Sequence, residues 1–223
     1  MNGIRSKDIT VVIPAFNAER YLAEAVGSVR RQTLGPDAPI IVADDGSTDG
    51  TAETAERLGV TLIRGRHAGT AAARNAGLAR AGTLFVYLLD ADDRAKPDAF
   101  RLLAGAAEGY GAFGLAEDFV SEELSPEAAS LLSPRQGGYP GILPGCSLLR
   151  TELFARIGFF DESIPSGETV AWMLALRDSG LPTASLDSVV LERRLHMANT
   201  GRVRKDDEAR GYAALLRRRL RKT

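Results

Sequence analysis

The chain has 223 residues, of which 44% are apolar and 26% charged, and its 28 basic and 29 acidic side chains leave a formal net charge of −1. This composition excludes collagen-like, disordered and supercharged classes, and the length allows one large domain with a substantial core. The longest clean apolar run, Leu84–Leu89, has six residues, far short of the roughly 20 that a membrane-spanning helix needs.

From the N-terminus the pattern alternates strand and helix. The β-branched run Ile9–Ile13 predicts a strand ended by Pro14, and Leu22, Ala25, Val26 and Val29 recur at helical spacing over residues 19–32. Ile40–Ala43 predicts a second buried strand, closed by Asp44-Asp45-Gly46-Ser47, with a helix from about Gly50 to Leu58. Val60–Ile63 is a third strand, Ala68–Ala81 an Ala-rich helix and Thr83–Leu89 a fourth strand. Lys96-Pro97 opens a further helix with Pro in its first turn. Repeated strand–helix units of this length predict an α/β fold with a doubly wound, mostly parallel sheet. Beyond them, residues 110–123 read as an irregular strand and residues 133–145 as a loop rich in Pro and Gly. Thr151–Ile157 predicts a short helix, Glu168–Ser179 a helix closed by Gly180, and Val189–Leu191 a late strand.

In such sheets ligands bind outside the carboxyl ends of the strands. The first strand ends in Pro14-Ala15-Phe16-Asn17, the second in Asp44-Asp45-Gly46-Ser47 and the fourth in Asp90-Ala91-Asp92-Asp93. One aromatic ring and five carboxylates therefore converge on one edge. No Gly-x-Gly-x-x-Gly follows the first strand and no Gly-x-x-x-x-Gly-Lys-Ser/Thr loop occurs, which argues against a dinucleotide site and a P-loop. So many carboxylates repel a phosphate unless a divalent cation lies between them. Asp and diphosphate oxygens are the hard ligands that Mg²⁺ and Mn²⁺ take, so a metal–diphosphate is the expected ligand.

The segments Thr10-Val-Val-Ile-Pro-Ala-Phe-Asn17, Ile41-Val-Ala-Asp-Asp-Gly-Ser-Thr-Asp49, Gly69-Thr-Ala-Ala-Ala-Arg-Asn-Ala-Gly77 and Leu89-Asp-Ala-Asp-Asp93 resemble, in order and spacing, family 2 glycosyltransferases of the GT-A fold. Gly145–Arg150, Ile157–Glu162 and Gly167-Glu168 resemble that family's acceptor-side segments, so the likeness covers roughly residues 9–200. It implies a single domain over 1–200, with a nucleotide-sugar-binding half to 107 and an acceptor half after it. It implies that Pro14 and Phe16 line the donor site, with Phe16 stacking on the base and Asp45 hydrogen-bonding it, and that Asp44 binds donor or shapes the turn. Arg74 would border the nucleotide, Asp90 would reach the ribose, and Asp92 would ligate the metal that holds the diphosphate. His196 sits where many GT-A enzymes place a C-terminal histidine on the metal, and a mixed Asp/His site leans to manganese. The implied activity is inverting transfer of a sugar from a nucleotide-diphospho sugar, UDP-linked by expectation, to an unknown acceptor. Such transfer needs a general base. The family usually supplies it from an acidic Glu-Asp pair, whereas this chain has Glu168-Thr169, leaving Glu168 as the candidate.

Plainer readings stand beside these. Phe16 and Trp172 suit a core, Asp45-Gly46 a turn, Arg74 a surface ion pair, and His67 a solvated loop. Two rival functions also stay open: a non-catalytic nucleotide-sugar-binding scaffold, and a sugar-1-phosphate nucleotidyltransferase, although the latter's Gly-rich, Arg-bearing loop is missing after the first strand. Residues 202–223 carry nine Lys or Arg against three Asp or Glu, leaving the rest at −7. An acidic body is no nucleic-acid footprint, and the basic tail, read as a helix over Ala209–Arg221, suits weak contact with an anionic membrane or an acidic partner. The N-terminus lacks the apolar stretch of a signal peptide, and the single Cys146 fits a reducing compartment, so a cytoplasmic protein is expected.

Overall fold

The computed structural model describes residues 3–141, 143–164 and 166–199. The terminal helix expected over Ala209–Arg221 lies outside them. The elements run β1 (Ile9–Ala15), α1 (Glu19–Arg30), β2 (Ile40–Asp44), α2 (Thr51–Arg57), β3 (Thr61–Arg64), α3 (Thr70–Leu78), β4 (Phe85–Leu88), β5 (Arg94–Ala95), α4 (Ala99–Ala106) and β6 (Gly111–Val120). The second half continues with α5 (Pro126–Ser130), β7 (Tyr139–Pro140), β8 (Ser147–Arg150), α6 (Glu152–Ile157), α7 (Glu168–Ser179) and β9 (Ala184–Leu195). The strands form one sheet in the order β3-β2-β1-β4-β8-β6-β9-β5, with β7 beside β6. Strands β3, β2, β1 and β4 are mutually parallel, β8 runs antiparallel between β4 and β6, and β6 pairs parallel with β9.

Alternation along β1 builds a core on each face of this sheet. Ile9, Val11 and Ile13 pack with Leu22 and Val26 of α1 and with Phe100 and Leu103 of α4. Val12 points the other way, into a cluster with Leu78 of α3, Phe154 of α6 and Trp172 and Leu176 of α7. Helices on both faces are what the doubly wound reading requires. The closest approach is at Gly77 of α3, where a Cβ would lie 2.2 Å from Val12 Cγ1. Gly77→Ala is therefore expected to destabilise the domain by about 1–3 kcal/mol through overpacking, read as a lower urea midpoint at unchanged slope.

Several boundaries differ from the sequence reading. Pro14 does not end β1; it sits in register with Ala43 of β2. Pairing with β4 stops at Val12↔Leu88, so the missing N–H of Pro14 falls where no ladder bond is due. The expected helix at Lys96-Pro97 begins only at Ala99, because Arg94 and Ala95 first turn back to pair with Glu192 and Leu191. The late strand runs over Ala184–Leu195 rather than three residues, and β7 and β8 emerge from segments without a clear alternating pattern. Helix α3 is shorter than expected, because Ala68 and Gly69 precede it and donate their N–H groups elsewhere. Among the described residues no helix is long and apolar enough to cross a membrane.

Candidate active site

The carboxyl ends of β1, β2, β3, β4, β6 and β9 share one edge, and the singled-out residues gather there. Pro14 is buried in β1, and Phe16 just beyond it is 45% exposed, so it is not a core residue. Its ring lies 4.2 Å from that of His67. His67 adopts φ 56°, and its Nδ1 is 3.5 Å from Asp45 Oδ2. Asp45 itself is buried and accepts the Ala68 and Gly69 N–H groups at 2.7 and 2.8 Å, fixing the approach to α3. Asp44 shapes the turn: its Oδ1 accepts the Ser47 N–H at 3.1 Å and the Ser47 hydroxyl. Asn17 ties the first loop to that turn, accepting the Thr48 N–H at 2.9 Å. A cleft of about 420 Å³ opens beside these groups, lined by Asp44, Asp45, Gly65, Ala68, Ala72 and Glu162 among others.

Arg74 is buried rather than paired at the surface. Its guanidinium donates to Asp90 Oδ1 at 2.8 Å, Glu168 Oε1 at 2.6 Å and Thr169 Oγ1 at 2.9 Å. Burial works against its charge, but the Asp90 and Glu168 carboxylates outweigh that and raise its pKa further. Asp90 and Glu168, 78 positions apart in sequence, are thus two ends of one ion-paired unit. Arg74 is committed to those carboxylates, and Glu168 stands at the first turn of α7 beside Thr169.

Asp92 and His196 meet across the edge, with His196 Nε2 2.9 Å from Asp92 Oδ2. The Asn199 amide reaches the same oxygen at 3.3 Å, and its Oδ1 accepts the His196 N–H at 2.6 Å. Neighbouring ligands at about 2.1 Å from an octahedral cation lie about 3 Å apart, so this oxygen–nitrogen pair fits one Mn²⁺ or Mg²⁺. Among the described residues no group of three or more His, Cys, Asp or Glu is placed to hold a metal ion. A cation held by Asp92 and His196 would have to take its remaining ligands from a diphosphate and water. Asp93 is buried beneath them, accepting the Arg194 N–H at 2.9 Å. Burial, then the charges of Asp92 and Asp90, push its carboxyl well above the ordinary range.

Two other residues settle plainly. Trp172 is core, stacked 4.9 Å from Phe154 with its indole N–H on the Gly158 carbonyl. Cys146 is buried and its thiol is pushed up to about 12, chiefly by burial, which leaves no thiolate to act as nucleophile. Sequence reasoning missed Arg194, Asn199 and Glu24. The first two flank His196 and could have been sought there, whereas Glu24 is one of two acidic residues on α1 and carries no signal of its own.

Comparison with known proteins gives the family and the fold. The family described as glycosyl transferase family 2 matches residues 10–158. Glycosyltransferase GlyA of Streptococcus pneumoniae is 35% identical over 95 residues, 40% of this chain and 14% of that protein. Glycosyltransferase GlyG of the same organism is 28% identical over 185 residues, 69% of this chain and 60% of that protein. S. aureus TarS 1–349 in complex with UDP-GlcNAc superposes with a TM-score of 0.66 at 18% identity, covering 86% of this chain and 59% of that one, a likeness of fold. The chain thus spans less than two thirds of each of these proteins.

Proposed function

We propose, since the chain belongs to glycosyl transferase family 2, that it transfers a sugar from a nucleotide-diphospho sugar, with inversion, to an acceptor bound near α7. The observation that carries this reading is the shared edge: an exposed aromatic ring, a carboxylate-held Arg and an Asp/His pair lie together at the carboxyl ends of the strands. The base packs against Phe16 and His67 above Asp45, and the ribose reaches Asp90. Asp92 and His196 would hold Mn²⁺ or Mg²⁺, which when bound screens the charge of the leaving diphosphate. Glu168 receives the proton of the attacking acceptor hydroxyl through Oε2, since its contacts with Arg74 and Thr169 all fall on Oε1. A UDP-linked donor is supported by TarS, a fold neighbour whose structure is a complex with UDP-GlcNAc.

The non-catalytic scaffold is the second reading, favoured by one observation: the candidate base is tied to a buried Arg and its neighbour is Thr169. Incubation with Mn²⁺ and a panel of nucleotide sugars, followed by measurement of released nucleotide, separates the two. Release that needs both the metal and one class of nucleotide is the expected result. Tight donor binding without release would establish the scaffold.

A further inference from the structure

The Asp92–His196 pair joins a loop after β4 to the end of a strand over a hundred residues later. One side chain spans them. Arg194 is 4% exposed; its Nε donates to the Asp92 carbonyl at 2.8 Å, and its backbone N–H donates to Asp93 Oδ1. Its guanidinium also donates to Ser121 Oγ at 3.1 Å and to Glu24 of α1. The rings of Tyr21 and Phe119 lie 4.7 and 4.6 Å from its Cζ. Glu24 in turn holds Arg94, the residue just after the Asp90–Asp93 turn, at 2.7 Å. One carboxylate on α1 therefore pairs with two arginines, one following the acidic turn and one preceding His196.

We infer that Arg194, anchored by Glu24, is a positioning residue that sets the Asp92–His196 spacing and thereby the protein's affinity for its divalent cation. Arg194 fixes the peptide of Asp92 on one side and the strand two residues before His196 on the other. Only a planar fork can serve Ser121, Glu24 and the Asp92 carbonyl together. A lysine keeps the charge but not that set of directions. Outer-shell groups of this kind typically change metal affinity about 10–100-fold.

The inference rests on Asp92 and His196 being the metal pair, so the test reads metal binding directly. Mn²⁺ binding to the full chain without nucleotide is titrated by electron paramagnetic resonance for the wild type, Arg194→Lys and Glu24→Gln. The core variant Leu103→Ala, from a fully buried position on α4, controls for lost stability. Arg194→Lys should weaken Mn²⁺ about 10–100-fold and Glu24→Gln should weaken it less. Leu103→Ala should lower thermal stability without shifting the Mn²⁺ curve. A folded Arg194→Lys with wild-type Mn²⁺ affinity would overturn the positioning role while leaving the metal pair intact. Equal weakening in Leu103→Ala would also overturn it, by reducing the effect to stability. A wild-type chain that binds no Mn²⁺ removes the metal pair and the inference together. If Arg194→Lys fails to fold, Glu24→Gln decides by the same measure, because its carboxamide keeps the shape.

Discussion

Glu168→Gln should lower nucleotide release by about 10²–10⁴-fold, the usual worth of a positioned base, with donor binding nearly intact. The amide keeps the size of the carboxylate and an oxygen for Arg74, so Asp90 stays in place, but it cannot take a proton. The Glu168 carboxylate is also one of the two that hold the buried Arg74 guanidinium, so a base at this position has to serve the ion pair and the acceptor together. Thr169 already accepts from the same Arg74 nitrogen at 2.9 Å. Thr169→Asp combined with Glu168→Gln puts a carboxylate within reach of that nitrogen and should restore part of the activity. Initial rates at saturating donor, with calorimetry for donor affinity, check both statements. Full activity in Glu168→Gln would place the base elsewhere.

The N-terminal half was legible because its signals are local. Ile9–Ile13, Ile40–Ala43 and Phe85–Leu89 are mostly apolar runs buried on both faces, and each ends in short polar motifs that the parallel topology must carry to one edge. That is why Phe16, Asp45, Asp90 and Asp92 could be named before the structure. The C-terminal half was less legible because its strands take their places from distant partners. Residues 184–195 extend only by pairing with β6 and β5, and the short β7 exists only as a partner of β6. Nor does a sequence show how a charge is used. Arg74 reads equally as a surface cation or a ligand contact, and only the fold shows its guanidinium buried among Asp90, Glu168 and Thr169. Glu24 and Arg194 are 170 residues apart, and nothing in either neighbourhood announces the other.

Asp92→Asn should nearly abolish Mn²⁺-dependent binding of UDP, a larger loss than the about 10–100-fold typical of outer-shell changes, while the domain stays folded. The fold survives because the amide keeps the shape of the side chain and the Arg194 contact falls on the backbone carbonyl, which the substitution leaves alone. The metal affinity does not survive because the variant loses the only charged ligand of the pair. No neighbour can replace it. Asp90 is committed to Arg74. Asp93 is buried against the Arg194 N–H, and its carboxyl is pushed toward the neutral form, chiefly by burial. His196→Ala removes a neutral ligand that water can replace, so a smaller loss is expected there. Calorimetry with UDP, with and without Mn²⁺, on both variants orders these effects. Unchanged metal dependence in Asp92→Asn would take Asp92 out of the site, and unchanged binding in His196→Ala would reduce the 2.9 Å contact to a hydrogen bond that merely closes the end of β9.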